Sequence, residues 1–336
     1  MKKHIKTAGS ILALSILAAC GGGDGSSSSS GGSGGGSGSG GGSGGGDTPA
    51  SLYTKAQMEW AGHESFYTAV GVTQIPGMIA QASLGFVRYA VTHDITTDSE
   101  ECDGDSPGTV TATFTDGNGN HKIDNGDKVT FKLVNCRGPV GDELVDGTVT
   151  ITYSDVTGDL LDESASSGAT MTIPLADFKL DGSETLNGTV VIDYARDTKD
   201  TVDDSDDTLS VQTTVEQLDI GYSQDGKSYA TRIEDYSSDY TYARETRLYT
   251  FSAIGYRTSG TDPLLGAFNH TVKMTTPLVY WRDLGDGSPD TGAFETKTPG
   301  ETITTTIVLT ETEDLVEIKS TSGLSSKMDF AAFDDL

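Results

Sequence analysis

Residues 116–127 read Asp-Gly-Asn-Gly-Asn-His-Lys-Ile-Asp-Asn-Gly-Asp. Side-chain oxygens fall at positions 1, 3, 5, 9 and 12 of this stretch, from Asp116, Asn118, Asn120, Asp124 and Asp127, and the Lys122 carbonyl stands at position 7. Calcium takes six to eight hard oxygens around a tight curve, and this is the spacing that supplies them. Ile123, at position 8, would anchor the loop in apolar surroundings. The same residue types also make a plain Asx/Gly-rich hairpin turn that binds nothing.

The stretch resembles the twelve-residue loops of EF-hands. It is closer to those of dockerins and to the strand-flanked loops of bacterial surface proteins. The resemblance covers these twelve residues, does not fix a fold, and implies a calcium ion with a structural task. Three departures lower the expected affinity toward a weak, extracellular type of site. His121 stands where the sharp-turn glycine is usual, Asp127 replaces the longer bidentate glutamate, and the flanks read as strands rather than helices.

The elements that must position this loop are 109–115 and 128–133, both alternating apolar and polar with the period of a half-buried strand. Cys102 and Cys136 bracket that hairpin. In an oxidising compartment they can pair, clamping the hairpin's open end. Two free thiols or a metal pair are the alternatives, but no His–Cys spacing of a metal site lies nearby. Further alternation at 147–153 returns in similar form at 188–194, a weak repeat. Strands are also expected at 169–180, 208–222, 227–236, 240–256, 268–280, 301–310, 313–320 and 324–330, punctuated by Gly, Asn, Asp and Ser. Before them, 52–72 reads as a possible helix. Pro76 sits where a new helix would start, and Ile79, Ala82, Phe86 and Ala90 recur at helical spacing over 77–91. The expected fold is mainly β: an antiparallel meander, barrel or sandwich, with one or two N-terminal helices. Residues 51–336 would form a single domain whose helical segment is 51–92. Parallel βαβ units are excluded, since no helical pattern lies between strands.

The chain opens on a basic head, Met1 to Lys6, and an apolar run, Ile11 to Leu17, too short to span a bilayer. It ends in Leu17-Ala18-Ala19-Cys20. This resembles the lipobox of bacterial lipoproteins, which implies a signal peptide over 1–19 and acylation of Cys20. Several acyl chains on one residue hold far more firmly than one. Gly21, rather than Asp, follows the cysteine, and by the same resemblance the outer membrane is the expected address. From Gly21 to Gly46 every residue is Gly or Ser except Asp24. Together 20–50 would be the lipidated cysteine and a tether, the Gly/Ser run reaching roughly 25–30 Å. Chance matches inside it to the nucleophile elbow (Gly31 to Gly35) and to dinucleotide fingerprints lack the strand and helix those motifs need.

The chain carries 50 acidic and 22 basic residues, a formal net charge of −28. Cleavage after Ala19 would remove Lys2, Lys3 and Lys6 and no acid, leaving −31. Such a surface repels nucleic acid and anionic headgroups and attracts cations, although acidity also serves simple solubility. A second acidic run, Asp197, Asp200, Asp203, Asp204, Asp206 and Asp207, has no ligand schedule and reads as a solvated hairpin tip. Asp283, Asp286 and Asp290 are sparser still. His63, His93, His121 and His270 form no i, i+4 metal pair and neighbour no nucleophile motif, so zinc and triad chemistry lack support. Tyr222, Tyr229, Tyr236, Tyr240, Tyr242, Tyr249 and Tyr256 cluster. If 240–256 is one strand, Tyr240, Tyr242 and Tyr256 share a face, as either a stacking platform or ordinary β-favouring aromatics.

Taken whole, the chain resembles the β-rich lipoproteins of Gram-negative bacteria that carry a lipobox, a Gly/Ser tether and an Asp/Asn/Gly hairpin between two cysteines, a resemblance that brings no activity with it. The expectation is a non-enzymatic binding or structural lipoprotein of the cell envelope, held to the membrane by its N-terminal lipid and stabilised by calcium. Its protein, glycan or hydrophobic ligand is unknown. Its rivals are a periplasmic carrier whose curved sheet cups a lipid, with 77–91 as plug, a surface-displayed adhesin-like module, and a hydrolase.

Overall fold

The computed structural model describes residues 52–102, 108–137, 144–180, 184–199, 206–224, 226–281, 289–309, 314–334 and 336. The lipobox and the tether, Cys20 included, lie outside them.

The first element among the described residues is one helix, α1 (Lys55–His93), of 39 residues, about 58 Å long at 1.5 Å per residue. Thr54 and Gln57 form a capping box at its start, and Asp94 closes it in the left-handed conformation at φ 53°. The expected second start at Pro76 does not occur: the backbone stays helical through it. Proline removes one ladder hydrogen bond. Burial on both sides of it offsets that loss, through Ala69, Val70, Val72 and Thr73 before and Ile79, Ala80 and Ala82 after.

Among the described residues fourteen strands follow: β1 (Thr97–Glu101), β2 (Thr109–Thr115), β3 (Lys128–Arg137), β4 (Leu144–Thr157), β5 (Ser167–Leu180), β6 (Glu184–Asp197), β7 (Thr208–Gln224), β8 (Lys227–Ala243), β9 (Leu248–Asp262), β10 (Gly266–Trp281), β11 (Thr291–Lys297), β12 (Thr302–Leu309), β13 (Asp314–Ser320) and β14 (Ser325–Asp329). They form one sheet in strict sequence order, a pure antiparallel meander. It is not a two-sheet sandwich. A short helix, α2 (Phe330–Asp334), ends the chain.

The sheet wraps around α1, which touches β2 near one edge, β6, β7 and β9 in the middle, and β11 to β14 near the other. Inward residues such as Val149, Ile151, Met171, Ile173, Val190, Ile192, Ile233, Val272, Ile303 and Ile318 are fully or almost fully buried. Their outward neighbours are largely Thr and Ser, which the period-2 pleat places on the other face. The helix meets the sheet with small residues, and three inward tyrosines anchor it. Tyr256 donates to the Ser65 carbonyl at 2.7 Å and Tyr236 to the Ala69 carbonyl at 2.6 Å. Tyr153 pairs with the Ser83 hydroxyl at 2.6 Å. Burial pushes all three phenols up, that of Tyr236 to about 12. Thr73 bonds both Tyr236 and Ser238. Gly62 makes the closest approach: a Cβ there would stand 2.7 Å from Thr305 Oγ1.

The repeat over 147–153 and 188–194 has a structural counterpart. In β3–β4 the left-handed residue Asn135 is held by Asp146 Oδ1, which accepts its N–H at 2.7 Å. In β5–β6 the left-handed Asp177 is held the same way by Asn187 Oδ1, at 2.8 Å. Each acceptor precedes a glycine with positive φ, Gly147 or Gly188. A Cβ on Gly147 would collide with the Phe178 ring at 2.6 Å, and one on Gly188 with the Gln217 carbonyl at 2.4 Å. The two hairpins thus share one bulge device.

Candidate metal centre

The loop 116–127 is the β2–β3 turn, strand-flanked as its sequence implies. Asp116 accepts the N–H groups of Asn118 (3.1 Å) and Gly119 (2.6 Å) on Oδ1 and that of His121 (2.8 Å) on Oδ2. Slight burial raises its carboxyl, but the backbone N–H groups of His121, Gly119, Asn118 and Asn120 outweigh that and hold it below the usual carboxylate range. His121 adopts the left-handed conformation at φ 60°, so it performs the sharp turn that glycine usually makes at this position.

Asn118 and Asn120 both donate through Nδ2 to Asp124 Oδ2, at 2.7 and 2.6 Å. Their own Oδ1 atoms accept the N–H groups of Asn120 and Lys122. Asp127, 2% exposed, accepts Gly117 N–H on Oδ1 at 2.8 Å and Asp124 N–H on Oδ2 at 2.7 Å. Ile123 is buried at 4% exposure, as the apolar anchor should be. The structure therefore brings Asn118, Asn120 and Asp124 to one point and ties Asp116 and Asp127 to the loop backbone on either side. Among the described residues no three His, Cys, Asp or Glu side chains gather into a metal-holding group. The carboxylates of Asp116, Asp124 and Asp127 thus do not make a site on their own. A cation would also need the amide oxygens of Asn118 and Asn120 and a backbone carbonyl, all hard donors of the kind calcium takes.

The loop's second half is stitched to β4. Gly126 N–H donates to the Tyr153 carbonyl, Tyr153 N–H to the Asp127 carbonyl, and Val156 N–H to Asn125 Oδ1. The Lys122 ammonium reaches Asp159 in the β4–β5 turn at 2.9 Å. That pairing raises the lysine and lowers the aspartate. At the hairpin's other end Cys102 and Cys136 are bonded, with Cα atoms 5.4 Å apart, joining the end of β1 to β3 across β2.

The other candidates lie apart. Asp207 is buried and faces Arg244 at 3.8 Å, so it links two turns rather than capping a solvated tip. Asp197 pairs with Lys199, while Asp200, Asp203, Asp204, Asp283 and Asp286 fall outside the described residues. The tyrosine pattern is corrected: 240–256 is two strands joined by a turn at 244–247. Tyr242 opposes Tyr249 in register, Tyr240 opposes Phe251, and all share the inner face. The rings of Tyr242 and Tyr249 stack at 4.5 Å. The histidines are scattered. His63 packs among Trp60, Tyr67 and Phe333, and His93 stacks on Tyr89. His270 meets the Tyr53 hydroxyl at 2.9 Å. A polar groove of about 460 Å³ on β6–β7 is lined by Asn187, Gly188, Thr189, Glu216, Gln217 and Asp219.

Sequence reasoning missed one cluster, around the start of α1. Asp262 accepts Trp60 Nε1–H at 3.1 Å and the Tyr222 hydroxyl at 3.4 Å on Oδ2, and the N–H groups of Leu264 and Leu265 on Oδ1. Glu301 accepts Tyr53 N–H at 3.0 Å and the Ser322 hydroxyl at 2.6 Å. The partners are 202 and 248 positions apart in two of these bonds, and no local signal announces them.

No protein-family model, curated protein or solved structure matches this chain.

Proposed function

We propose that the chain is an envelope lipoprotein: exported, cleaved before Cys20, acylated there and anchored to the outer membrane. Its β domain would have a binding or structural task in the adjacent water rather than a catalytic one. The observation that carries this is the run Leu17-Ala18-Ala19-Cys20, after a basic head and short apolar stretch and before the Gly/Ser run 21–46. The bonded Cys102 and Cys136 agree with an oxidising compartment. The test is labelling with a radioactive fatty acid, followed by density separation of inner and outer membranes. Label should enter the wild type and not Cys20→Ser, and should sediment with the outer membrane. An unlabelled wild-type chain in the soluble fraction would refute it.

Calcium is the proposed structural ion, held by Asp116, Asn118, Asn120, Asp124 and Asp127 with the Lys122 carbonyl. When bound it would supply two positive charges that offset three carboxylates and fix the turn. It would compete with the Asn118 and Asn120 Nδ2–H bonds to Asp124. A lipid carrier would need an apolar space facing the helix. Instead α1 fills the inner face with Met58, Phe66, Val70, Ile79, Leu84, Phe86 and Val87, each 6% exposed or less. That weighs toward a surface-based binding or structural task.

A further inference from the structure

Alternate turns of an antiparallel meander lie at opposite ends of the sheet. The β2–β3 loop, the β4–β5 turn and the β8–β9 turn share one end. The β9–β10, β11–β12 and β13–β14 turns share the other, where α1 begins and the chain preceding residue 52 joins the domain.

The three turns around the start of α1 differ in chemistry from the loop end, although elsewhere on their own end of the sheet Glu101, the last residue of β1, is exposed. The loop end carries Asp116, Asp124, Asp159, Asp162, Glu163 and Glu245, none of them buried. At the start of α1 the two turn carboxylates face inward. Asp262 is 7% exposed and Glu301 6% exposed, each satisfied by the hydrogen bonds described above. What the three turns show outward is apolar or neutral: Pro263, Leu264, Pro299, Gly300, Thr321 and Gly323 are exposed. Leu52 and Leu264, at 60% and 45%, are the most exposed large hydrophobic residues among those described. Both sit here: Leu52 lies over Gly300, where an added Cβ would stand 2.1 Å from its side chain, and the Leu264 carbonyl accepts from Gln57 Nε2 at 3.0 Å. Lys55 and Lys297, at the start of α1 and the end of β11, are exposed and each pairs with a carboxylate, Glu59 at 3.3 Å and Glu295 at 3.5 Å. With two carboxylates turned inward and the two most exposed leucines turned outward, the surface around the start of α1 is neutral and partly apolar.

We propose that this end is a membrane-contact face, with Leu52 and Leu264 dipping into the interfacial layer of the bilayer that holds the Cys20 lipid. The proposal rests on the anchoring reading. Thirty-one residues separate Cys20 from Leu52, so anchoring at Cys20 would keep this face near the bilayer at high effective concentration. The acidic loop end would point into the water, about 50 Å away by strand length. The leucines would then set how often the domain settles on the bilayer.

The test uses the full acylated chain in vesicles of neutral phosphatidylcholine, with and without lipids brominated along the acyl chain. Leu52→Trp and Leu264→Trp report this end and Glu245→Trp the other. The background of Trp60 and Trp281 is taken from the wild type. Brominated lipid should cause a loss of added fluorescence at 52 and 264 and none at 245. Flotation is measured on the same samples. A chain that does not float overturns the anchoring reading and this proposal with it. A chain that floats without quenching at 52 and 264, or with equal quenching at 245, overturns this proposal alone. Crosslinking of 52 and 264 to an envelope protein in cells, without bromolipid quenching, would assign the face to a protein partner and likewise overturn it.

Discussion

The sheet grips α1 closely, and one methyl group at Gly62 should show it. An alanine Cβ at this position would lie 2.7 Å from Thr305 Oγ1 and 3.3 Å from Ile318 Cγ2. Two effects oppose. Replacing glycine by alanine in a helix interior stabilises it by about 1 kcal/mol. Forcing a methyl into a packed contact costs about 1–3 kcal/mol, and Thr305 is 1% exposed with little room to turn. The clash should win, leaving Gly62→Ala about 1 kcal/mol less stable in urea unfolding. Gly77 and Gly85 supply the control. A Cβ on either meets nothing within 4 Å, so each alanine should add about 0.5–1 kcal/mol. Thr305 Oγ1 is buried and makes no hydrogen bond among the described residues. In a Thr305→Ala background the Gly62→Ala penalty should therefore vanish or reverse, a coupling of about 1–2 kcal/mol. If Gly62→Ala stabilises the domain as much as Gly77→Ala does, α1 is not pressed against β12 and the packing argument fails.

Calcium should raise the melting temperature and give a binding isotherm by calorimetry, both abolished by chelator; Asp116→Ala/Asp124→Ala behaving as wild type in both would refute the loop assignment. Replacing Cys102 and Cys136 together by alanine should cost roughly 3–4 kcal/mol in chemical unfolding, from the entropy of the opened loop, and an unchanged midpoint would contradict that. Burial depresses His270 to about 4, against a smaller upward pull from Asp262. The unfolded chain takes up that proton near pH 6.5, so His270 favours folding fully above about pH 6.5. That contribution, about 3 kcal/mol, is lost as the pH falls toward 4. His270→Phe should flatten the stability profile in that window, and a profile with the same slope as wild type would rule the histidine out as its source.

Much of the architecture was legible because a half-buried strand alternates. Runs such as 109–115 and 147–153 mark their inner faces directly, and short punctuated spacing permits little except a meander. The hairpin repeat was also visible, though its cause was not. It lies in two left-handed residues, Asn135 and Asp177; Asn and Asp favour that conformation, but the chain holds too many of them for the type alone to mark these two. Two errors have physical sources. Pro76 reads as a helix start by local propensity, but packing against the sheet overrides that preference across a 39-residue helix. The break at 244–247 escaped notice because Arg-Glu-Thr-Arg contains no glycine, proline or asparagine. Arg247 takes the left-handed position there instead, at φ 56°. The loop 116–127 was legible as a strand-flanked turn, since the residues that build it lie within twelve positions of one another. The Asp262 and Glu301 clusters were not, since their partners meet only through the fold.

The measurement that bears most directly on the central claim is the intact mass of the full-length chain extracted from membranes. The account predicts a species lacking residues 1–19, beginning at Cys20 and heavier than its peptide by a diacylglyceryl group and a further acyl chain. A chain that retains Met1, or one cleaved elsewhere with an unmodified Cys20, would contradict it.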